Sequence, residues 1–193
     1  MKYNPIDFLQ AIGEKDYESV VKMLALGYSP SLLGKCGNTP LSNAAEVGSI
    51  EILELLLNNG ADINESITYK SDVDGRVKEN YSPLMFAYDL DVIKFMVSNG
   101  AKVNHQEANG FTKLMLNASI ADDEYISINR LLIELGADKD IALSSYNGKT
   151  GTYRAYDIAV DKEAYIVKLN TKSGNKKLEI AIEKINEMKT LLE

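Results

Sequence analysis

Two short segments of the chain match pieces of motifs that bind phosphate or calcium. Gly148, Lys149 and Thr150 match the end of a P-loop, but that motif also needs an earlier glycine, where this chain has Leu143. The run 72–75 contains two aspartates and a glycine, but the glycine follows too soon for an EF-hand loop, which also needs a later glutamate. Neither segment therefore predicts a site for a nucleotide or a metal ion.

The residue types that most often carry catalysis are scarce. The chain has one histidine, His105, and one cysteine, Cys36. A single histidine excludes a site that needs two imidazoles, and a single cysteine excludes an intrachain disulfide and a multi-cysteine zinc site. Acidic neighbours such as Asp122 and Asp123 suit solvated helix ends, because general acid–base catalysis needs a cleft that shifts a pKa. The sequence predicts no catalytic residue, no metal and no cofactor.

The composition is that of an acidic folded protein. The 193 residues include 21 lysines and arginines and 28 aspartates and glutamates, which gives a formal charge of −7. This charge disfavours nucleic acid and favours a basic partner. No apolar run approaches the roughly 20 residues of a membrane helix, and the first residues lack the apolar core of a signal peptide. We therefore expect a cytoplasmic protein that binds neither membranes nor nucleic acid.

Tyrosine is frequent among the aromatic residues, with eleven tyrosines, four phenylalanines and no tryptophan. Tyrosine side chains offer a large contact area for few rotatable bonds and are enriched at binding surfaces. Several of them, including Tyr69, Tyr81 and Tyr146, fall between the predicted helices. They fit a surface that binds another protein, and packing at the edge of a core explains the same pattern.

Two motifs repeat along the chain. The first begins with Gly-Ala and occurs at 60–64, 100–104 and 136–140, with a divergent copy at 27–31. Its leading glycines are 33, 40 and 36 residues apart, and an apolar stripe with helical spacing precedes each of them. The second motif, at 37–41, has counterparts at 81–84 and 110–114. This spacing predicts small helical repeats that must stack, because one repeat cannot bury its own apolar face.

The most regular copy indicates how each helix begins and ends. Thr39 can cap a helix whose first position suits Pro40, and Gly48 can end it in a left-handed conformation. The stripe 52–57 forms a second helix with a broad apolar face. The stretch Gly37–Asn64 resembles the ankyrin repeat family, whose pattern it matches without a gap, and the resemblance extends over roughly 4–160.

The resemblance implies an all-α fold, an α-solenoid of helix–turn–helix repeats with β-turn or hairpin fingers and a C-terminal capping helix. We expect a single domain over 1–193 whose repeats lie at about 4–34, 35–66, 78–104, 105–140 and 141–193. The insertion 65–80 contains a turn signal and predicts an extended finger. Apolar residues at helical spacing between Leu178 and Leu192 predict the closing helix.

In the ankyrin family, the fingers and the first helix of each repeat line a concave surface. The resemblance therefore places the partner-binding residues in the fingers and on the first helices. Carried over position by position, it selects Lys35, Asn38, Asn43, Glu46, Tyr88, Asp89, Phe111, Asn117, Tyr146 and Lys149. The inserted finger and its tyrosines add Tyr69, Asp72, Arg76 and Tyr81 to this set.

The sequence thus predicts a monomeric, non-catalytic module that binds another protein through its concave surface and fingers. One form of this hypothesis is a small cytoplasmic immunity or antitoxin protein that masks a basic toxin. The alternative is a general adaptor or regulatory scaffold, including a host-directed effector, whose partner is not especially basic. Binding should depend strongly on salt in the first case and weakly in the second.

Overall fold

The computed structural model describes residues 4–71, 75–173 and 176–193. The chain divides into two compact parts, an N-terminal unit from Met1 to Lys102 and a C-terminal unit from Val103 to Glu193. Each unit contains helix pairs and a β-hairpin. Within the described ranges, no helix combines the length and the apolar character needed to cross a lipid bilayer.

The helices of the N-terminal unit pack in pairs. They are α1 (Pro5–Gly13), α2 (Tyr17–Ala25), α3 (Pro40–Val47), α4 (Ile50–Asn58), a 3-10 helix (Pro83–Phe86) and α5 (Leu90–Ser98). Helix α3 packs against α1, α4 and the 3-10 helix, and α2 packs against α1 and α4. First helices therefore stack on first helices and second helices on second helices, as in a repeat array.

Local sequence sets the ends of α3. The Thr39 hydroxyl accepts a hydrogen bond from the Ser42 N–H at 3.2 Å, and the Ser42 hydroxyl accepts one from the Thr39 N–H at 2.9 Å. This capping box satisfies two N–H groups at the helix start, and Pro40 fills the first helical position. Gly48 ends the helix with a φ of 73°, a conformation that costs a residue with a side chain about 1–2 kcal/mol.

The apolar stripe of the second helix lies in the core of the N-terminal unit. Ile52, Leu53 and Leu56 of α4 and Leu41 of α3 are fully buried. Burial of each such side chain stabilises the fold by roughly 1.5–3 kcal/mol. The stripe thus faces the adjoining helices, as the stacking of repeats requires.

An asparagine in each unit joins successive Gly-Ala turns. Asn64 donates from Nδ2 to the Gly100 carbonyl at 2.9 Å and accepts at Oδ1 from the Lys102 N–H at 2.9 Å. In the C-terminal unit, Asn104 makes the same pair of bonds, with the Gly136 carbonyl at 3.1 Å and the Asp138 N–H at 2.8 Å. One side chain satisfies two backbone groups of the following turn, so these asparagines help to set the spacing between repeats.

The first helix of the third expected repeat is reduced to the 3-10 helix Pro83–Phe86. The sequence leaves 17 residues from Pro83 to Gly100, against 20 from Pro40 to Gly60, so the helix has less chain available. Its N-cap, Ser82, makes no capping bond, and within the described residues the buried Ser82 hydroxyl has no hydrogen-bond partner. The shortened chain and the missing cap explain why no full α-helix forms there.

Two β-hairpins add to the helices within the described residues. Strand β1 (Ile67–Lys70) pairs antiparallel with β2 (Val77–Tyr81), and β3 (Leu143–Tyr146) pairs antiparallel with β4 (Lys149–Tyr153). The two hairpins have equivalent registers, each with an irregularity after the first residue pair. The first hairpin lies where the extended finger is expected. The fold is therefore helical in its repeats, with β-strands confined to the fingers.

The helices of the C-terminal unit are α6 (Lys113–Ala118), α7 (Asp123–Glu134), α8 (Ala155–Ser173) and α9 (Lys176–Leu192). Helix α6 packs against α7 and α8, and α9 packs against both α7 and α8. The Lys189 ammonium lies 2.6 Å from the Glu163 carboxylate, and Lys184 pairs with Asp123. These contacts tie α9 to both neighbouring helices, so α9 completes the last helix pair of this unit.

Candidate functional site

Three of the predicted binding residues meet in a depression of the N-terminal unit, which we call the groove. Its volume is about 230 Å³. Its lining residues are Cys36, Asn38, Glu46, Tyr69, Lys70, Ser71 and Phe86. Asn38, Glu46 and Tyr69 belong to the set expected from the sequence, and they come from a loop, a first helix and a finger.

Backbone contacts hold the loop 34–38 against strand β1. The Gly34 N–H donates to the Asn38 carbonyl at 2.8 Å, and the Lys70 N–H donates to the Cys36 carbonyl at 2.8 Å. Gly37 has a φ of 90°, and a Cβ atom there would lie 2.1 Å from the Thr68 carbonyl oxygen. Glycine is therefore needed at this position for the loop to approach the strand.

A side-chain hydrogen bond joins the same loop to α3. Asn38 donates from Nδ2 to Asn43 Oδ1 at 2.7 Å, and both side chains are half-buried. Because each amide restricts the other, the wall of the groove between the loop and the helix has a defined shape. Asn43 thus supports the groove through Asn38.

Two aromatic rings, those of Tyr69 and Phe86, form the aromatic wall of the groove. The ring centroid of Tyr69 lies 5.0 Å from that of Phe86 and 5.4 Å from that of Tyr81, distances typical of tilted and edge-to-face pairs. Tyr81 is only 8% exposed. The expectation that Tyr81 faces a partner is therefore corrected. Its register opposite Ile67 turns it into the core, where it packs against Tyr69.

A hydroxyl–carboxyl contact lies beside the capping box of α3. Thr39 donates from Oγ1 to Glu65 Oε1 at 2.5 Å. Burial raises the pKa of Glu65, with the Thr39 hydrogen bond opposing the rise and the Asp62 charge adding to it. Glu65 therefore holds the base of the finger, and its contact with the α3 N-cap links finger and helix.

The groove side of the N-terminal unit is close to electrically neutral. The described residues of the segments 26–47 and 67–89 include four cationic and three acidic residues, namely Lys35, Lys70, Arg76 and Lys78 against Glu46, Glu79 and Asp89. The acidic surplus of the chain is therefore carried mainly by other segments. The formal charge of the whole chain, −7, suggests an acidic recognition surface. The groove side does not share this surplus of acidic residues.

The other predicted residues of the N-terminal unit surround the groove or serve the fold. Lys35, Arg76 and Tyr88 are exposed. Asp89 is also exposed, but its carboxylate caps α5 by accepting hydrogen bonds from the N–H groups of Asp91 and Val92 at 2.8 and 3.1 Å. Asp72 lies outside the described residues.

The C-terminal unit carries a second row of aromatic side chains. The ring of Tyr146 lies 6.1 Å from that of Phe111 and 5.8 Å from that of Tyr153. Burial and the charge of Asp161 raise the pKa of Tyr146. Lys149 is exposed and its ammonium lies 3.7 Å from the Asp161 carboxylate. The hairpin β3–β4 thus presents half-exposed rings beside one ion pair.

Asn117 lies inside the C-terminal unit, and this corrects the expectation that it contacts a partner. It is 4% exposed and donates to Asn129 Oδ1 at 2.9 Å. Asn129 in turn donates to the Leu114 carbonyl at 3.2 Å and lies 3.3 Å from the sulfur of Met188. The first-helix position of Asn117 suggests exposure, but α6 packs against α7 and α8, and the bond to Asn129 of α7 holds the side chain inside the unit.

Two buried charged residues, Glu107 and Lys113, have structural roles that the sequence does not predict. Glu107 is 5% exposed, and its carboxylate accepts hydrogen bonds from the N–H groups of Asn109 and Phe111 at 2.8 and 3.1 Å. It therefore shapes the turn that presents Phe111. Lys113 is 2% exposed, and burial lowers its pKa to about 7. In the second repeated motif, Lys113 occupies the position that Pro40 has in the regular repeat, and Pro40 is also buried. This correspondence is the sequence feature that could have indicated the burial of Lys113.

The described residues contain no group of three or more histidine, cysteine, aspartate or glutamate side chains that could hold a metal ion. Cys36, among the residues that line the groove, is exposed. His105 is half-buried in the turn that follows the Gly-Ala motif. The side chains of the groove thus offer hydrogen bonds, ring faces and one carboxylate.

Comparisons with known proteins point to one family. A family model described as ankyrin repeats in three copies matches residues 8–107. The chain is 24% identical over 171 residues to an ankyrin repeat protein of Fowlpox virus (strain NVSL), a match that covers 75% of this chain and 89% of the viral protein. It is 27% identical over 129 residues to alpha-latrocrustotoxin-Lt1a of Latrodectus tredecimguttatus, covering 52% of this chain and 9% of the toxin. The chain thus corresponds to a small part of the toxin's length.

Proposed function

Because the chain belongs to the ankyrin repeat family, we propose that it is a non-catalytic module that holds a partner protein on the finger side of its N-terminal unit. The groove supports this proposal most directly. Its walls come from a glycine-dependent loop, a capped helix and a β-hairpin. A site whose parts are held by backbone and side-chain contacts loses little entropy when a partner binds.

The chemistry of the groove favours a protein partner over a substrate. The Lys113 pKa is strongly shifted, but Lys113 is buried and does not line the groove. The lining residues of the groove include no histidine, the residue that most often acts as a general base. Half-exposed rings and amide groups suit the side chains and backbone of another protein. We further propose that the module acts as a monomer in the cytoplasm.

The partner has two alternative descriptions. An immunity or antitoxin protein for a basic toxin is suggested by the small size and the formal charge of −7. A general adaptor, regulatory scaffold or host-directed effector is favoured by the near balance of charge around the groove. The dissociation constant measured between about 50 and 500 mM salt separates them, since only binding to a strongly basic partner weakens steeply.

Crosslinking from Cys36 tests the proposed surface. Cys36 is the single cysteine and lines the groove, so a photoactivated maleimide attaches there alone. Native lysate is irradiated with the labelled protein, and the adducts are identified by mass spectrometry. We expect one dominant adduct that unlabelled wild-type protein suppresses and that a Glu46→Arg competitor does not.

A second labelling position provides the control. In the Cys36→Ser background, Asn58→Cys places the same label on the exposed end of α4, away from the groove. We expect this position to give little of the dominant adduct. Equal adducts from both positions, or equal suppression by wild type and Glu46→Arg, would show that the partner does not use the groove.

A further inference from the structure

We propose that the groove of the N-terminal unit receives one arginine side chain of the partner, an inference that rests on the proposed function. The groove has a volume of about 230 Å³, whereas pockets for small ligands have roughly 300–1,000 Å³. Its size therefore suits a single side chain that anchors a longer contact. Ring faces and a carboxylate decide which side chain fits.

The aromatic wall can hold a planar cation. Tyr69 and Phe86 are both half-buried, so each keeps part of its ring accessible. Their centroids are 5.0 Å apart and their planes are inclined by 58°. A guanidinium group that stacks on such a ring gains roughly 0.5–1 kcal/mol at an exposed site and more when water is excluded.

Glu46 supplies the complementary charge. It lies in the last turn of α3, is exposed, and lines the same groove as the two rings. Among the described residues, no ion pair occupies its carboxylate. A guanidinium fork can bond a carboxylate through two parallel N–H groups while its plane rests on a ring. The ammonium of lysine is a point charge that offers neither the planar stacking surface nor the two parallel N–H groups, so arginine is favoured.

Lys70 also lines the groove and carries the opposite charge. Side chains alternate along a strand, so the Lys70 side chain leaves β1 on the face opposite to Tyr69. The Lys70 backbone contacts the loop 34–38, because its N–H donates a hydrogen bond to the Cys36 carbonyl at 2.8 Å. The Lys70 ammonium is not within ion-pair distance of Glu46 in the described structure. The carboxylate is therefore left to an external cation.

A peptide titration tests the anchor without knowledge of the partner. Acetyl-Gly-Arg-Gly-amide is added to the ¹⁵N-labelled full chain, and backbone amide shifts are followed by NMR. The matched probe replaces arginine by citrulline, which keeps the shape and removes the charge. We expect saturable shifts at Glu46, Tyr69 and Phe86 with a dissociation constant on the order of 1 mM, and binding at least about fivefold weaker for citrulline.

Variants identify the carboxylate. Glu46→Gln should weaken binding of the arginine peptide by at least about fivefold, whereas Glu54→Gln, an exposed change on α4, should leave it unchanged. Equal binding of both peptides, shifts outside the groove, or no effect of Glu46→Gln would overturn the arginine anchor. If the Cys36 crosslink persists in that case, the proposed function stands and only the anchor fails.

Discussion

The buried Lys113 should make the stability of the chain depend on pH, and its replacement by methionine should remove that dependence. Burial lowers the Lys113 pKa from 10.5 to about 7. Between these values the unfolded chain binds a proton that the folded chain does not, so the free energy of unfolding rises with pH by up to about 1.4 kcal/mol per pH unit. Below about pH 7, both states are protonated and the contribution is constant.

The magnitude follows from the width of that window. A difference of 3.5 between the two pKa values corresponds to at most about 5 kcal/mol at pH 7. Methionine keeps an unbranched apolar stem and removes the charge. Lys113 also has an interaction within the fold that methionine loses, on the order of 1 kcal/mol. The Lys113→Met variant should therefore be more stable at pH 7 by several kcal/mol.

Urea unfolding followed by circular dichroism at pH 7, 8 and 9 measures this effect. Wild type should gain about 2–3 kcal/mol relative to Lys113→Met across this range. Lys94→Met is the matched control, because Lys94 is exposed beside Asp91, and it should keep the wild-type slope. Parallel pH profiles for wild type and Lys113→Met would refute the assignment of the slope to Lys113.

Three further substitutions test local features by thermal and urea unfolding. Gly37→Ala should lower the free energy of unfolding by more than about 3 kcal/mol, because the new Cβ would collide with Thr68 in addition to the strain of a φ of 90°. Gly60→Ala, at a φ of 92° with open space around it, should lower it by only about 1–2 kcal/mol. Equal losses in the two variants would contradict the close approach of the loop to the strand. Glu65→Gln should keep the contact with Thr39 and remove a carboxyl group whose pKa is raised by folding. Ionisation of that carboxyl group weakens the wild-type fold, so the variant should gain stability relative to wild type as the pH rises from 4 to 7. A difference in stability that does not change with pH would show that Glu65 does not titrate in this way. Ser82→Ala should stabilise the fold by about 1 kcal/mol, because it removes a buried hydroxyl that has no hydrogen-bond partner. Thr39→Ala should destabilise the fold by at least about 1 kcal/mol, because it removes the N-cap of α3. A loss of stability in Ser82→Ala would show that the Ser82 hydroxyl makes a stabilising hydrogen bond.

The sequence by itself determined the repeats and the ends of the regular helices. The capping box at Thr39 and the left-handed Gly48 depend on neighbours within a few residues, and local patterns report such features well. The apolar stripe 52–57 predicted which face of α4 is buried, because the helical period alone assigns residues to faces.

Only the tertiary structure decided which of the exposed-looking residues are buried. Tyr81, Asn117 and Lys113 occupy finger or first-helix positions, yet each is at most 8% exposed because elements distant in sequence cover it. The groove likewise depends on contacts between Gly37 and Thr68, about thirty residues apart. Spacing within one repeat carries no information on such contacts, since burial and pKa depend on what the rest of the chain places around a side chain.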